Sequence, residues 1–312
     1  MKKSLGLIVT FNPSIDFFSD LDSFYSQLDQ IVLIDNGSNP EILSLLKREE
    51  QYRNRSLTVL YNKTNLGVAT ALNQGFQWAI ARGYRQIVTF DQDSRPAPGM
   101  VSTLLDVYES YSTDESLAVV APIIDDPSLE ISARYLSPKS LFTFRLVTCT
   151  DCVLDNVLMV ITSGSLYNLD IYQRIGPFRD DLFIDYVDTE YCLRVKENGY
   201  RILVACKAYL HHRLGNQQKR VFLGKVYYPT FHSILRWYYI SRNRVWMLKQ
   251  YAIRHPYWFF YELVVSIKSV LRMLMFEDCR MSKVKAFILG TIDGLFGRMG
   301  KKSDTITKIT LN

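Results

Sequence analysis

The sequence predicts an α/β protein on a doubly wound, mostly parallel sheet, and two observations carry that expectation. Short apolar runs alternate with amphipathic stretches through the first hundred residues, and a polar residue stands at or just beyond the C-terminal end of each run. Consecutive strands joined by helices run parallel through right-handed crossovers. Ligands of such sheets bind beyond the strand C-termini.

The first strand is Leu5-Gly6-Leu7-Ile8-Val9-Thr10, closed by Asn12-Pro13. An amphipathic stretch over residues 14–28 leads to a second strand, Gln30-Ile31-Val32-Leu33-Ile34-Asp35, stopped by Asn36-Gly37-Ser38. Residues 57–61 form a third strand, and Asn65-Leu66-Gly67-Val68-Ala69 opens a helical run over residues 70–81. The fourth strand, Gln86-Ile87-Val88-Thr89-Phe90, ends in Asp91-Gln92-Asp93.

Asp91 and Asp93 are the most informative residues. Two carboxylates one residue apart after a strand can share a divalent cation and a nucleotide ribose, and hard oxygen ligands suit Mg²⁺ or Mn²⁺. An isolated Asp-x-Asp describes a solvated turn equally well, so its position on the fourth strand is what favours the functional reading. Gly67 stands where a helix begins, so amides and the helix dipole could face an anion there; close packing is the alternative. Only Gly67 and Gly75 of that run are glycines, which argues against a dinucleotide-binding fingerprint.

Ser163-Gly164-Ser165 reads as a turn where the backbone could approach a substrate at Gly164. Residues 183–194 read as the start of a helix with Asp185, Asp188 and Glu190 in its first turns. Acids are favourable at a helix N-terminus for electrostatic reasons alone, yet one of a crowded group can serve as a base. His211 and His212 end the apolar run before them, and an imidazole could complete a metal site begun by carboxylates.

Charge divides the chain. Residues 1–212 carry 19 Lys and Arg against 26 Asp and Glu, whereas residues 213–312 carry 18 against 5. The basic part also holds large apolar runs such as Pro256-Tyr257-Trp258-Phe259-Phe260-Tyr261, which favours a membrane surface over nucleic acid. Glu262, Lys268 and Arg272 interrupt those runs, so helices lying in the interface are expected rather than spanning ones. Packing on the catalytic part, or a homo-oligomer contact, is the other use of such helices. No signal peptide is expected, and the five scattered cysteines suggest free thiols in a reducing cytoplasm. The compositional break sets the expected division at residues 1–216 and 217–312.

Together these residues resemble glycosyltransferase family 2, whose nucleotide-binding α/β fold is called GT-A. The resemblance covers residues 4–216 and rests on Val9-Thr10-Phe11-Asn12, Ile34-Asp35-Asn36-Gly37-Ser38, the run from Asn65 to Gly75, Asp91-Gln92-Asp93-Ser94, Thr162-Ser163-Gly164-Ser165, Asp188-Thr189-Glu190-Tyr191-Cys192-Leu193-Arg194 and His212-Arg213-Leu214-Gly215. It implies that Thr10, Asn12 and Asp35 hold the nucleoside, with Asn65 and Gly67 also on the donor side. It gives Asp91 to the ribose or metal, Asp93 to the metal and His212 to the metal or diphosphate. Asp188 becomes the general base with Asp185 as its rival. Ser163, Gly164, Ser165 and Glu190 fall on the acceptor side, where Arg194 orients the acids.

The Asp-Gln-Asp-Ser form, residues 183–188 and Tyr238-Tyr239-Ile240-Ser241-Arg242-Asn243 look like the rhamnosyltransferase branch. That branch implies dTDP-L-rhamnose as donor and a lipid-linked oligosaccharide acceptor at the cytoplasmic face of the membrane, as in O-antigen or capsule assembly. Processive relatives carry Gln-x-x-Arg-Trp, and here Ser233 stands at the glutamine position before Arg236-Trp237. Single sugar addition is therefore expected. The rivals are a transferase using a UDP- or GDP-sugar, a nucleotidyltransferase, and a non-catalytic binding module.

Overall fold

The computed structural model describes residues 4–111, 115–126, 133–212 and 218–302. The expected division at 216/217 and the motif residues Arg213, Leu214 and Gly215 lie outside them.

The N-terminal part alternates as the sequence predicts: β1 (Leu5–Thr10), α1 (Ile15–Tyr25), β2 (Gln30–Asp35), α2 (Pro40–Arg53), β3 (Leu57–Tyr61), α3 (Val68–Ile80) and β4 (Gln86–Asp91). Asn39 starts α2 by accepting from the Ile42 amide at 3.0 Å, with Pro40 at the first helical position. There follow β5 (Ser94–Pro96), α4 (Met100–Ser110), β6 (Leu117–Asp125), β7 (Tyr135–Pro138), β8 (Phe144–Val147), β9 (Val153–Leu154), β10 (Leu166–Asn168), α5 (Leu169–Ile175), α6 (Val187–Glu197) and β11 (Arg201–His212). A small hairpin, β12 (Arg220–Phe222) and β13 (Lys225–Tyr227), precedes α7 (Ile234–Tyr251), α8 (Pro256–Phe276) and α9 (Arg280–Leu295).

The main sheet has the order β3-β2-β1-β4-β10-β6-β11-β5, with β9 beside β11. Strands β1 to β4 are mutually parallel and β6 runs parallel to β11, while β10 and β5 are antiparallel to their neighbours. Both faces are covered, which explains why the strands read as continuous apolar runs. Leu5, Leu7, Val32 and Ile34 enter the core on one face, and Ile8, Ile31 and Leu33 the core on the other.

The C-terminal part is mainly helical, and α7 is an integral wall of the catalytic half. Arg242 is fully buried and donates to the carbonyls of Asp181, Leu182 and Gly300, while Asn243 donates to those of Leu182, Ile184 and Asp185. All of those carbonyls except that of Gly300 belong to a loop in which Phe183, Asp185 and Tyr186 have φ between 62° and 65°. Each such residue costs roughly 1–3 kcal/mol, so a loop of this kind persists only when its surroundings over-determine it.

Two expectations are corrected. Asp185 is not in a helical turn, because α6 begins only at Val187 after that left-handed loop. The cysteines are not all free: Cys149 is disulfide-bonded to Cys206, Cα atoms 5.6 Å apart, across a separation of 57 residues. The antiparallel pairing of β9 with β11 brings the segment after β8 beside Cys206, a contact that spacing alone does not reveal. Among the described residues no helix is long and apolar enough to cross a membrane.

Candidate functional site

Strand register builds the floor of the cleft. Thr10 lies opposite Asp35 across β1 and β2, and Val9 lies opposite Asp91 across β1 and β4, so the ends of three neighbouring strands align. Above them opens a cleft of about 470 Å³, walled by Thr10, Asn65, Gly67, Asp91, Asp93, Asp185, Asp188 and Arg236.

Asp91, Asp93 and His212 each offer one ligand atom within 4.8 Å of the others. The antiparallel pairing of His212 with Ser94 sets β11 against the segment that follows the two aspartates. Alternation along β11 turns His212 inward, while His211 points outward to Asp125 at 2.9 Å. His212 Nδ1 is buried without a hydrogen-bond partner among the described residues and stands 3.5 Å from Asp93 Oδ1. Its Nε2 is 3.7 Å from Asp91 Oδ2. Burial pushes the Asp91 carboxyl above its ordinary range, His212 opposes that and Asp93 reinforces it. An orphaned imidazole nitrogen beside two crowded carboxylates is a donor set that fits a divalent cation.

The N-terminal loops brace one another more than they face the cleft. Asp35 is fully buried, with its Oδ2 accepting from the amides of Gly37 and Ser38. Asn12 donates its amide to Ser38 Oγ and accepts from the Asn39 amide. Thr10, by contrast, is on the cleft wall and 3.5 Å from Asp35. Asn65 and Gly67 reach the wall too, and of the two readings left open for Gly67 the geometry favours close packing over an anion cradle. The amides of Leu66, Gly67 and Val68 are taken by Asn36, Asn65 and the Phe183 carbonyl respectively. Gly67 has a packing reason instead, since its φ is +92° and a Cβ there would lie 2.6 Å from Phe183.

The acidic cluster separates. On an α-helix, residues two apart diverge by roughly 200°, so Asp188 faces the cleft while Glu190 points into the core. Glu190 is 1% exposed and is held by Arg194 at 2.9 Å and Tyr251 at 2.8 Å. Arg194 also binds the carbonyls of Ile175, Gly176 and Pro177, which close α5. Arg194 thus orients an acid of the cluster, as expected, and the two residues tie α6 to α5 and α7; neither lines the cleft, which corrects the placing of Glu190 on the acceptor side. Asp185 forms an ion pair with Arg236 at 3.0 Å. Asp188 accepts from Thr189, and burial, then Asp185 and Asp91, push its carboxyl up to about 6.

Asp188 also borders a second cavity of about 440 Å³, with Ser163, Ser165 and Thr189 among its lining. Ser163 Oγ accepts from the Asp91 amide at 3.0 Å, so this turn links the second cavity to the strand that ends in Asp91. Gly164 approaches protein rather than a free surface: a Cβ there would lie 2.7 Å from Pro122. Two site residues escape the sequence reading. Arg236 enters the cleft from α7, and its only signal is the Arg-Trp dipeptide after Ser233, which caps α7 by accepting from the Arg236 amide. Gln92, between the two aspartates, accepts from the Phe11 amide at 2.7 Å and fixes the β1 loop.

The family profile "Glycosyl transferase family 2" matches residues 18–176. The chain is 26% identical over 313 residues to the dTDP-rhamnosyl transferase RfbF of Shigella flexneri, covering 95% of this chain and 96% of that protein. Among solved structures, S. aureus TarS 1–349 superimposes with a TM-score of 0.58 at 16% identity, over 96% of this chain and 82% of the other. A crystal structure of GalNAc-T7 with UDP, GalNAc and Mn²⁺ gives 0.60 at 16% identity over 80% of this chain, which spans only 48% of that one. The likeness to both extends the GT-A fold to this chain.

Proposed function

The chain belongs to glycosyltransferase family 2, and from that premise we propose an inverting transfer of L-rhamnose from dTDP-L-rhamnose to a hydroxyl of a lipid-linked oligosaccharide acceptor. The observation that carries the reading is the position of Asp188 on a wall common to the metal-side cleft and the second cavity. A donor in the first and an acceptor hydroxyl in the second would meet at its carboxylate. The dTDP-rhamnosyl transferase from Shigella flexneri supports the choice of donor.

Asp188 would take the proton of the acceptor hydroxyl as that oxygen attacks the anomeric carbon from the side opposite the diphosphate, so a β-L-donor would yield an α-L-rhamnoside. Positioned general-base catalysis contributes roughly 10²–10⁴-fold. Asp91, Asp93 and His212 would hold Mg²⁺ or Mn²⁺, which when bound neutralises charge on the leaving diphosphate. Arg236 places a cation in a cleft that otherwise carries the carboxylates of Asp91, Asp93, Asp185 and Asp188. Thr10 and the loops braced by Asn12 and Asp35 would frame the nucleoside.

Contact with an anionic membrane surface completes the reading. Phe260, Leu263, Val264, Ile267, Leu271 and Leu274 of α8 are exposed, with Lys268 and Arg272 among them. An apolar helix face edged with basic residues suits the headgroup boundary.

Calorimetric titration with dTDP, UDP and GDP, each with and without Mn²⁺, tests the donor. Metal-dependent preference for dTDP is expected. Preference for UDP or GDP would replace rhamnose with another sugar, and no nucleotide binding at all would remove the donor-site reading.

A further inference from the structure

Three cavities meet at the acidic loop, and the third is formed largely by the C-terminal helices. It has a volume of about 260 Å³, shares Asp185 and Tyr186 with the metal-side cleft, and shares Met159, Thr189 and Tyr261 with the second cavity. Asp188 does not line it.

Its wall contains a buried polar cluster. Arg244 is 7% exposed, and its Nε donates to Glu262 Oε1 and to the Tyr186 hydroxyl, each at 3.0 Å. Arg244 Nη1 is buried and has no hydrogen-bond partner among the described residues. A guanidinium fork carries five N–H donors, and a buried donor left unpaired is costly, so a small shift of this side chain toward the cavity it lines would let an incoming acceptor atom satisfy it.

The charges around this cavity cancel in pairs, which indicates what that atom belongs to. Arg244 is paired with Glu262, and Asp185 with Arg236. His232, also on the wall, is held neutral because burial, then Arg236 and Lys283, push its imidazole down to about 4. A phosphate entering here would meet two carboxylates whose cations are already engaged. The remaining lining offers the hydroxyls of Thr230 and Ser269 beside the rings of Trp237 and Tyr261. Aromatic side chains with a few fixed donors and hydroxyls suit a polyhydroxylated neutral ring.

We propose that this cavity binds a neutral hexopyranose unit of the acceptor other than the unit that receives the new sugar. The proposal rests on the glycosyltransferase reading and deepens it. The reacting hydroxyl must reach Asp188 in the adjoining cavity, so this unit is a neighbour in the acceptor chain. At about 260 Å³ the cavity sits just below the roughly 300–1,000 Å³ of small-molecule sites, which suits one ring rather than a chain. The acceptor is thereby selected as an oligosaccharide and not a single sugar.

Ligand-observed NMR on the full chain tests this with the methyl glycosides of glucose, galactose, mannose, rhamnose, N-acetylglucosamine and N-acetylgalactosamine as probes, and glucose 1-phosphate as the anionic comparison. At least one neutral glycoside should bind, and Ser269→Trp, which fills the cavity from the half-buried face of α8, should weaken it tenfold or more. Arg244→Lys should weaken the same glycoside as a second variant, with bound dTDP reporting that both proteins are folded. Glycoside binding unchanged by Ser269→Trp, a response to glucose 1-phosphate alone, or no glycoside binding while dTDP still binds would each overturn the subsite and leave the donor site standing. Failure of the wild-type chain to bind any nucleotide would instead remove the reading on which the subsite depends.

Discussion

Arg236 of α7 is paired with Asp185 at 3.0 Å, two side chains that are 51 residues apart in sequence. That pair distinguishes the two carboxylates able to act as base. Asp185 is half-buried and engaged by Arg236, whereas Asp188 accepts hydrogen bonds from its own neighbour Thr189 and has no ion pair among the described residues. Asp188→Asn should therefore lower turnover by about 10²–10⁴-fold with nucleotide affinity retained. Asp185→Asn should cost about tenfold, through a misplaced Arg236. Steady-state release of dTDP from both variants decides it, and the reverse ranking would transfer the base to Asp185.

The raised Asp188 carboxyl gives the enzyme a pH signature. A base must be ionised, so kcat/KM should climb as pH rises through about 6 and level off above it. A flat profile between pH 5 and 8 would argue against Asp188 as the titrating group. The same shift acts on stability. The folded state holds the Asp188 proton more tightly than the unfolded chain, whose carboxylate titrates near 3.9. Its contribution is thus fully present at low pH and lost as pH rises through about 6. Asp188→Asn should melt higher than the parent at pH 8, and that advantage should vanish below about pH 4.

If Asp91, Asp93 and His212 hold the metal as proposed, loss of a carboxylate and loss of the imidazole should have the same effect. Asp93→Ala and His212→Ala should each abolish the effect of Mn²⁺ on dTDP affinity, and chelation should bring the parent protein to the same level. His212→Gln leaves a hydrogen-bonding group but no imidazole, so recovery of the Mn²⁺ effect there would count against nitrogen ligation. Calorimetry with and without chelator reads all four proteins.

What the sequence could reveal follows from the range of each interaction. Strands β1 to β4 were legible because a sheet buried on both faces writes apolar runs, and Asp91 and Asp93 because a strand end marks where ligands bind. The loop at Phe183 and Tyr186 was not legible, since these are not residues whose identity signals positive φ. It is held by Arg242 and Asn243, roughly sixty positions downstream. Glu190 looked equivalent to Asp188 because composition does not show which side of a helix faces the cleft. The seat of Arg236 depends on how α7 lies against that same loop.

Helices α7 and α9 owe their close approach to two glycines. A Cβ at Gly290 would fall onto Ser241 Oγ and the Tyr238 carbonyl, and one at Gly294 onto the Arg242 carbonyl. Gly290→Ala therefore overpacks a buried helix contact. It should cost about 1–3 kcal/mol, read as a lower midpoint in urea. The displacement of α7 should also loosen Asn243 from the Leu182 and Ile184 carbonyls and reduce turnover by more than the loss of folded protein explains. A melting midpoint equal to the parent's would show that α9 does not seat against α7 as described.

The outward face of α8 predicts a salt-sensitive membrane contact. Leu263, Ile267, Leu271 and Leu274 are each 42–53% exposed and share one helical stripe, and the chain beyond residue 212 carries 18 basic against 5 acidic residues. Burial of that stripe would supply the apolar part of the attraction and the basic residues the electrostatic part, which falls off with ionic strength. The full chain should float with vesicles of anionic lipid at low salt and less so at 0.5 M. The combined Leu263→Ser, Ile267→Ser, Leu271→Ser variant should stay in the soluble fraction at both salt concentrations while still binding dTDP. If the parent does not float with anionic vesicles, the stripe is an interface between protein surfaces, and analytical ultracentrifugation should then show a dimer that the same three substitutions dissociate.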